Sequence, residues 1–274
     1  MTPKNRRSKH KKSKKPRPDK HELYQLSVQE PEADIEFLQN TFQARYGRMP
    51  HSLREDFGGT AYLSSSWVAA HDANQAWAID LDSEPLEWGA KHNAARLTAA
   101  QRDRLAFVVG NVFDAQDPPV DIVAAFNFSY FTFQKRHQML QYFKRAYANL
   151  REEGLFVLDI YGGPEAQQLI EESTEHDEFT YVWDQDEFDP INRRMVCYIH
   201  FDLPKRKRME RAFAYDWRLW TLPELREILQ DAGFSGSEAH WEGFDENGDG
   251  NGIYTLQESA ENSDSWIAYI VAYK

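Results

Sequence analysis

The chain holds one cysteine, Cys197, among 274 residues. A single thiol leaves no intramolecular disulfide framework and no cysteine-based zinc cluster. Long apolar runs are also missing: none approaches the roughly 18 residues that a membrane span needs. The first residues carry no hydrophobic signal core, so a reducing, cytoplasmic compartment is the expectation. There is no Gly-Lys-Ser/Thr for a phosphate-cradling loop and no Gly-Ser nucleophile elbow. What is abundant is aromatic surface, with eight Trp, 13 Tyr and 17 Phe. That exceeds what a plain core requires and points to stacking surfaces.

Charge is distributed unevenly. Residues 1–20 hold ten of the 32 Lys/Arg and one of the 44 Asp/Glu, leaving 22 basic against 43 acidic residues from 21 onward. The basic segment has Pro and Ser but no large apolar residue beyond Met1, so it is expected to be a disordered tail. It reads either as an arm that contacts nucleic acid or the ribosome, or as a solubilising tail. The acidic body argues against a large footprint on a phosphate backbone.

The richest stretch is Leu53-Arg54-Glu55-Asp56-Phe57-Gly58-Gly59-Thr60-Ala61, followed by Trp77-Ala78-Ile79-Asp80-Leu81-Asp82. An extended acidic segment enters a Gly-Gly-Thr turn, a helix follows, and a second apolar run ends in carboxylates. Glycines let backbone approach a ligand, and a helix N-terminus offers free N–H groups. A carboxylate closing the second strand suits a ribose diol. Strand alternation directs only one of Glu55 and Asp56 at a ligand, and Glu55 is favoured. Asp80 and Asp82 also read as ordinary strand-end residues.

Periodicity predicts a helix from Pro31 through Tyr46 on Ile35, Leu38 and Phe42. It then predicts strands near 53–57, 76–81, 105–109, 121–126 and 155–160. Helices are expected over about 60–70, 84–97 and 134–150. Residues 178–220, rich in aromatics and broken at Asp189-Pro190 and Leu203-Pro204, read as antiparallel strands. Thr221 and Glu224 form a capping box for a helix closed by Gly233. Two final strands, near 237–244 and 265–273, flank a long polar loop. Asp245-Glu246-Asn247-Gly248-Asp249-Gly250 imitates a calcium loop, but Leu256 stands where its closing Glu belongs and the flanks are strands. No metal site is expected.

The glycine loop, the acidic end of strand 2, Gly110-Asn111 after strand 3 and the final strand pair resemble the class I S-adenosylmethionine-dependent methyltransferases. Leu53–Ala61 with Trp67 is similar to a subgroup with an R-E-D-F-(C)-G-T-A loop. Trp217–Leu225 followed by Asp231-Ala232-Gly233-Phe234 resembles the entry to the last helix of small-molecule enzymes. The resemblance covers roughly 31–274. It implies an α/β, Rossmann-like, seven-stranded mostly parallel sheet with a terminal antiparallel strand. An antiparallel β cap over 178–220 would be inserted after strand 5, within a methyltransferase domain spanning 21–274.

The resemblance implies S-adenosylmethionine as cofactor. Glu55 would hold the methionyl amino group, Gly58, Gly59 and Thr60 the loop beneath it, and Asp80 or Asp82 the ribose hydroxyls. Asn111 would take the adenine amino group and Val112 would offer backbone N–H to the ring. Phe57 and Ala61 replace the outer glycines of the commonest pattern, and Asn111 replaces Asp. Asn127-Phe128-Ser129-Tyr130 keeps the Asn and Tyr of the Asn-Pro-Pro-Tyr motif of amino-methylating enzymes, which makes Asn127 and Tyr130 catalytic candidates. Asn127 would also border the cofactor. His200 is the third catalytic candidate, and Tyr198, Tyr215 and Trp217 are the substrate-binding candidates. The expected reaction is methyl transfer to a small-molecule N or O acceptor. A macromolecular acceptor docked through the tail, or a non-catalytic binding module, are the alternatives.

Overall fold

The computed structural model describes residues 18–114, 118–204, 206–245 and 250–274. Most of the basic tail and the centre of the calcium-like loop lie outside the described residues. Two helices open the described chain, α1 (Lys20–Val28) and α2 (Pro31–Tyr46). Asp19 caps α1 by accepting from the His21 backbone N–H, and Pro31 stands at the start of α2, where a missing N–H costs nothing.

A βα alternation follows: β1 (Ser52–Asp56), α3 (Tyr62–Ala70), β2 (Gln75–Asp80), α4 (Ser83–His92), α5 (Ala99–Arg102), β3 (Leu105–Val109), β4 (Val120–Ala125), α6 (Arg136–Asn149) and β5 (Leu150–Gly162). The antiparallel insert comprises β6 (Ile170–His176), β7 (Phe179–Asp189), β8 (Arg194–Asp202) and β9 (Met209–Arg218). The chain closes with α7 (Leu222–Ala232), β10 (Gly236–Phe244), β11 (Gly250–Leu256) and β12 (Trp266–Tyr273).

The main sheet has the order β11-β10-β12-β5-β4-β1-β2-β3. β1 to β5 are mutually parallel, and β12 enters antiparallel beside β5. All six residues of β4 are buried, as a central strand covered on both faces requires. The expected seven strands are present, and β11 adds an eighth at the edge. Its sequence, GNGIYTL, is mostly exposed and lacks apolar alternation, which is why it reads as loop. The insert begins at Ile170 rather than 178; β6 (IEESTEH) is polar after its first residue and lacks the apolar alternation that marks a strand.

Chain order reverses between β1 and β4, so their carboxyl ends splay and leave a crevice. The insert sheet lies over this end. Met195, Cys197 and Trp217 from its inner face join Phe131, Phe156 and Ile160 in one buried cluster. α1 ties the insert to the body. Its Leu23 is buried with Phe179, Ile199 and Phe201, and its Gln25 Nε2 donates to Thr60 Oγ1 at 2.6 Å.

Candidate active site

A cleft of about 690 Å³ opens at the switch point, between the glycine loop, the ends of β2 and β3, α1 and the edge of β9. Its lining includes Glu55, Gly58, Gly59, Thr60, Asp80, Asp82, Asn111, Val112 and Asn127, so every residue expected to hold the cofactor is brought together. Tyr215 and Trp217 line the same space.

The loop is built by backbone conformation that its side chains do not favour. Gly59 has φ +52°, and Phe57 and Ala61 take φ +58° and +52°, the left-handed region that glycine would occupy without penalty. The loop therefore keeps its shape without the outer glycines, at roughly 1–2 kcal/mol for each non-glycine residue. Asp80 holds it in place. Its Oδ2 accepts from Gly59 N at 2.8 Å and its Oδ1 from Asp82 N at 2.9 Å. Burial raises the Asp80 carboxyl, and these N–H donors oppose the rise. Asp82 accepts from Glu84 N at 2.9 Å and caps α4, so its carboxylate is engaged with backbone while lining the cleft.

Gly89 in α4 packs directly on the loop. A Cβ there would stand 1.9 Å from the Thr60 carbonyl oxygen, so only glycine lets α4 come this close. Asn93 Nδ2 completes the contact by donating to that oxygen at 2.9 Å. Past β3, the Asn111 side chain accepts from Phe113 N at 3.1 Å, and Arg54 donates to the Val112 carbonyl at 3.1 Å. The turn after β3 is thus fixed by one polar side chain on each flank.

Glu55 is 7% exposed, and its Oε2 accepts from Ser64 N and Ser64 Oγ at the N-terminus of α3. Burial pushes its carboxyl up to about 7. Asp56 turns the other way and accepts from Tyr142 Oη at 2.9 Å. The alternation of the strand thus points the two carboxylates to opposite sides, and both residues border the cleft.

A second cavity, of about 640 Å³, adjoins the first and is bounded by the α1–α2 turn, β10, β11 and β12. Gln29, Glu55, Phe126 and Asn127 line both spaces, so the two meet along these residues. Asn127 and Phe128, with φ of +57° and +55°, make a strained turn there. Strain of this kind persists only where surrounding contacts impose it. Asp159 imposes it: its two carboxylate oxygens accept from Asn127 N at 2.6 Å and Phe128 N at 2.9 Å. Asp159 lines the second cavity, and burial pushes its carboxyl up to about 8.

Three expected site residues are placed elsewhere. Tyr130 is fully buried, and its hydroxyl donates to the Asp159 carbonyl at 2.7 Å, which makes it a packing residue. Tyr198 and His200 line neither cavity. Their neighbours Cys197 and Ile199 pair with Tyr215 and Phe213 on the inner face of the insert sheet, so alternation turns Tyr198 and His200 to the other face. There His200 Nδ1 accepts from Arg211 N, and Nε2 lies 3.2 Å from Asp184. Sequence reasoning missed Asp34, Asp159, Glu242, Tyr254 and Tyr269 in the second cavity, and His21, Tyr24 and Gln29 beside the first. Asp159 alone left a trace, as a carboxylate inside the otherwise apolar run 155–160.

No family model and no curated protein matches the chain. Solved structures do match over nearly its whole length. An S-adenosylmethionine-dependent methyltransferase from Clostridium acetobutylicum is 14% identical, with 91% of this chain and 96% of that one covered and a TM-score of 0.66. The fold is that of the class I S-adenosylmethionine-dependent methyltransferases. CalS10 from Micromonospora echinaspora, an amino pentose methyltransferase solved with S-adenosylmethionine bound, is 12% identical. The alignment covers 96% of this chain and all of CalS10, with a TM-score of 0.63. The sugar N-methyltransferase KedS8 from Streptoalloteichus is 13% identical over 99% of this chain and 98% of its own, with a TM-score of 0.61. Within this methyltransferase fold the cleft lies at the carboxyl ends of β1, β2 and β3, where doubly wound sheets take their ligands.

Proposed function

We propose that the protein transfers a methyl group from S-adenosylmethionine to a small-molecule acceptor. The observation that carries this reading is the pair of cavities, of about 690 and 640 Å³, joined through Gln29, Glu55, Phe126 and Asn127. One space is lined by the residues a nucleoside needs, and the other is of a size that suits a small ligand. Solved structures of the same fold include enzymes that methylate amino pentoses and sugars, which supports the small acceptor.

The residues present fit the cofactor. Asp80 is the carboxylate for the ribose hydroxyls, and its hold on Gly59 keeps the loop close to them. Asn111 keeps an acceptor oxygen for the adenine amino group. Glu55 offers a carboxylate to the methionyl ammonium, and the bonds from Ser64 fix its orientation. The bound sulfonium supplies an activated methyl group. The protein's task is then alignment and exclusion of water, which is worth roughly 7–11 kcal/mol of a barrier when geometry is well set. α1 contributes to the exclusion: Lys20, His21 and Tyr24 line the cleft, and His21 Nε2 lies 2.9 Å from Glu84 Oε2 across it.

Amide hydrogen exchange with S-adenosylhomocysteine tests this placement. Protection is expected at 58–60, 80–82 and 111–112. Protection confined to the insert sheet would contradict it.

A further inference from the structure

The second cavity has a chemical character that narrows the acceptor. Five carboxylates line it, from Glu30, Asp34, Glu55, Asp159 and Glu242, and no Lys, Arg or His stands among its lining residues. Asp34 accepts from Tyr269 Oη at 2.6 Å, and Glu242 accepts from Gly252 N at 3.0 Å. Aromatic faces complete the wall, with the Tyr254 and Tyr269 rings 4.2 Å apart and Phe126 5.2 Å from Tyr269. At the junction with the cofactor cleft, the buried carboxamide oxygen of Gln29 has no hydrogen-bond partner among the described residues. A buried acceptor without a donor is destabilising, so it too calls for an N–H from a ligand. Carboxylates, ring faces and an orphan acceptor oxygen together describe a receptor for an ammonium ion.

Resting on the proposed methyl transfer, we propose that the acceptor is a small cationic amine, bound as its ammonium ion, and that Asp159 takes the proton it must lose. An ammonium nitrogen has no lone pair and cannot attack carbon. Transfer of one N–H proton to the Asp159 carboxylate frees the pair, which forms the N–CH₃ bond while the C–S bond breaks and its electrons stay on sulfur. The positive charge passes from sulfonium to the methylated ammonium, and the Asp159 proton returns to water through the cavity as product leaves. Asp159 stands at the right place, because it holds the backbone of Asn127, which borders both spaces.

The groups facing Asp159 oppose its ionisation. Asp34 on α2, Glu55 on β1 and Glu242 on β10 add negative charge, and Tyr181, Tyr254 and Tyr269 add no cation. Burial and Asp34 both push the Asp159 carboxyl upward. An ammonium ion is what relieves that repulsion and readies the base.

The experiment measures transfer from methyl-labelled S-adenosylmethionine by the full chain to a panel of small mono- and diamines and their hydroxyl and carboxyl counterparts. Transfer to amines alone is expected. Asp34→Asn, which keeps an acceptor for Tyr269, should raise amine KM at least tenfold with cofactor affinity unchanged. Asp159→Asn should lower kcat and remove the basic-side rise of its pH profile. Because Asp159 also holds the Asn127–Phe128 turn, a fold check by circular dichroism accompanies that variant, and Asp34→Asn decides if it fails to fold. Transfer to hydroxyl or carboxyl acceptors, or an amine KM unmoved by Asp34→Asn, overturns the inference and leaves methyl transfer standing. If no acceptor in the panel is methylated, thermal shifts of the S-adenosylhomocysteine complex decide: stabilisation by amines alone supports the inference, and its absence overturns it. Failure to bind the cofactor at all would remove the underlying reading as well.

Discussion

The buried carboxyls make the stability of the ligand-free protein depend on pH in an unusual direction. Asp159 rises to about 8, Glu55 to about 7 and Asp34 to about 6, each mainly through burial. In the unfolded chain such groups titrate near 4. Between those values the native state holds protons that the unfolded state has released, so stability falls as pH rises through the folded pKa values. The contribution is fully present below about pH 4 and is lost for Asp34 by pH 6, for Glu55 by pH 7 and for Asp159 by pH 8. Near pH 6.5, Asp159 and part of Glu55 account for a slope of one to two protons, about 1.4–2.7 kcal/mol per pH unit. For a chain of this length that is roughly 3–10 °C in Tm per unit. His240, which burial holds below its usual range, works the other way and trims the slope at the acid end.

Calorimetry at pH 5.5, 6.5, 7.5 and 8.5 measures it, on the wild type and on Asp159→Asn. The wild-type Tm should fall steadily with pH, and the variant should lose most of the fall above pH 7. A wild-type Tm that is flat or rises across this range would refute the placement of these carboxyls in an unneutralised cavity. A saturating small amine should flatten the slope by supplying the missing cation.

Gly89→Ala sets a methyl group against the Thr60 carbonyl, so α4 must move and the cleft must reshape. Loss of Tm together with at least a tenfold loss of cofactor affinity is expected, and unchanged calorimetric binding would contradict the packing. Thr221→Ala removes the capping box at the start of α7. It should cost about 1 kcal/mol by denaturant unfolding and leave transfer rates intact. Deleting residues 1–17 should leave kcat/KM for a small acceptor within about twofold, since the described lining of both cavities begins at Lys20; loss of activity would favour a docked macromolecular acceptor.

The first cleft was legible because backbone chemistry is local. A Gly-Gly-Thr turn after an acidic strand, and a carboxylate after the next strand, constrain a short stretch of chain whose ligand-facing residues follow from alternation. Phe57 and Ala61 show its margin: residue type alone argues against the left-handed turn, and packing imposes it. The second cavity was not legible, because its carboxylates beyond Glu55 come from the α1–α2 turn, α2, β5 and β10, distant in sequence and individually unremarkable. His200 and Tyr198 misled for a related reason. An aromatic-rich strand announces a buried face, and only the pairing of β8 with β9 tells which alternate residues look inward. Tyr130 kept its place in a motif but spends its hydroxyl on the Asp159 carbonyl. α1 went unread because only His21 and Leu23 of its nine residues are buried.

The most direct test is isothermal titration of the full chain with S-adenosylmethionine and S-adenosylhomocysteine, repeated on Asp80→Ala. Removing that carboxylate loses charge-assisted bonds to the ribose and frees Gly59, each worth roughly 1.5–3 kcal/mol. The account predicts micromolar binding of both ligands and a loss of at least tenfold in the variant. Absence of binding to the wild type, or equal affinity in Asp80→Ala, would contradict it.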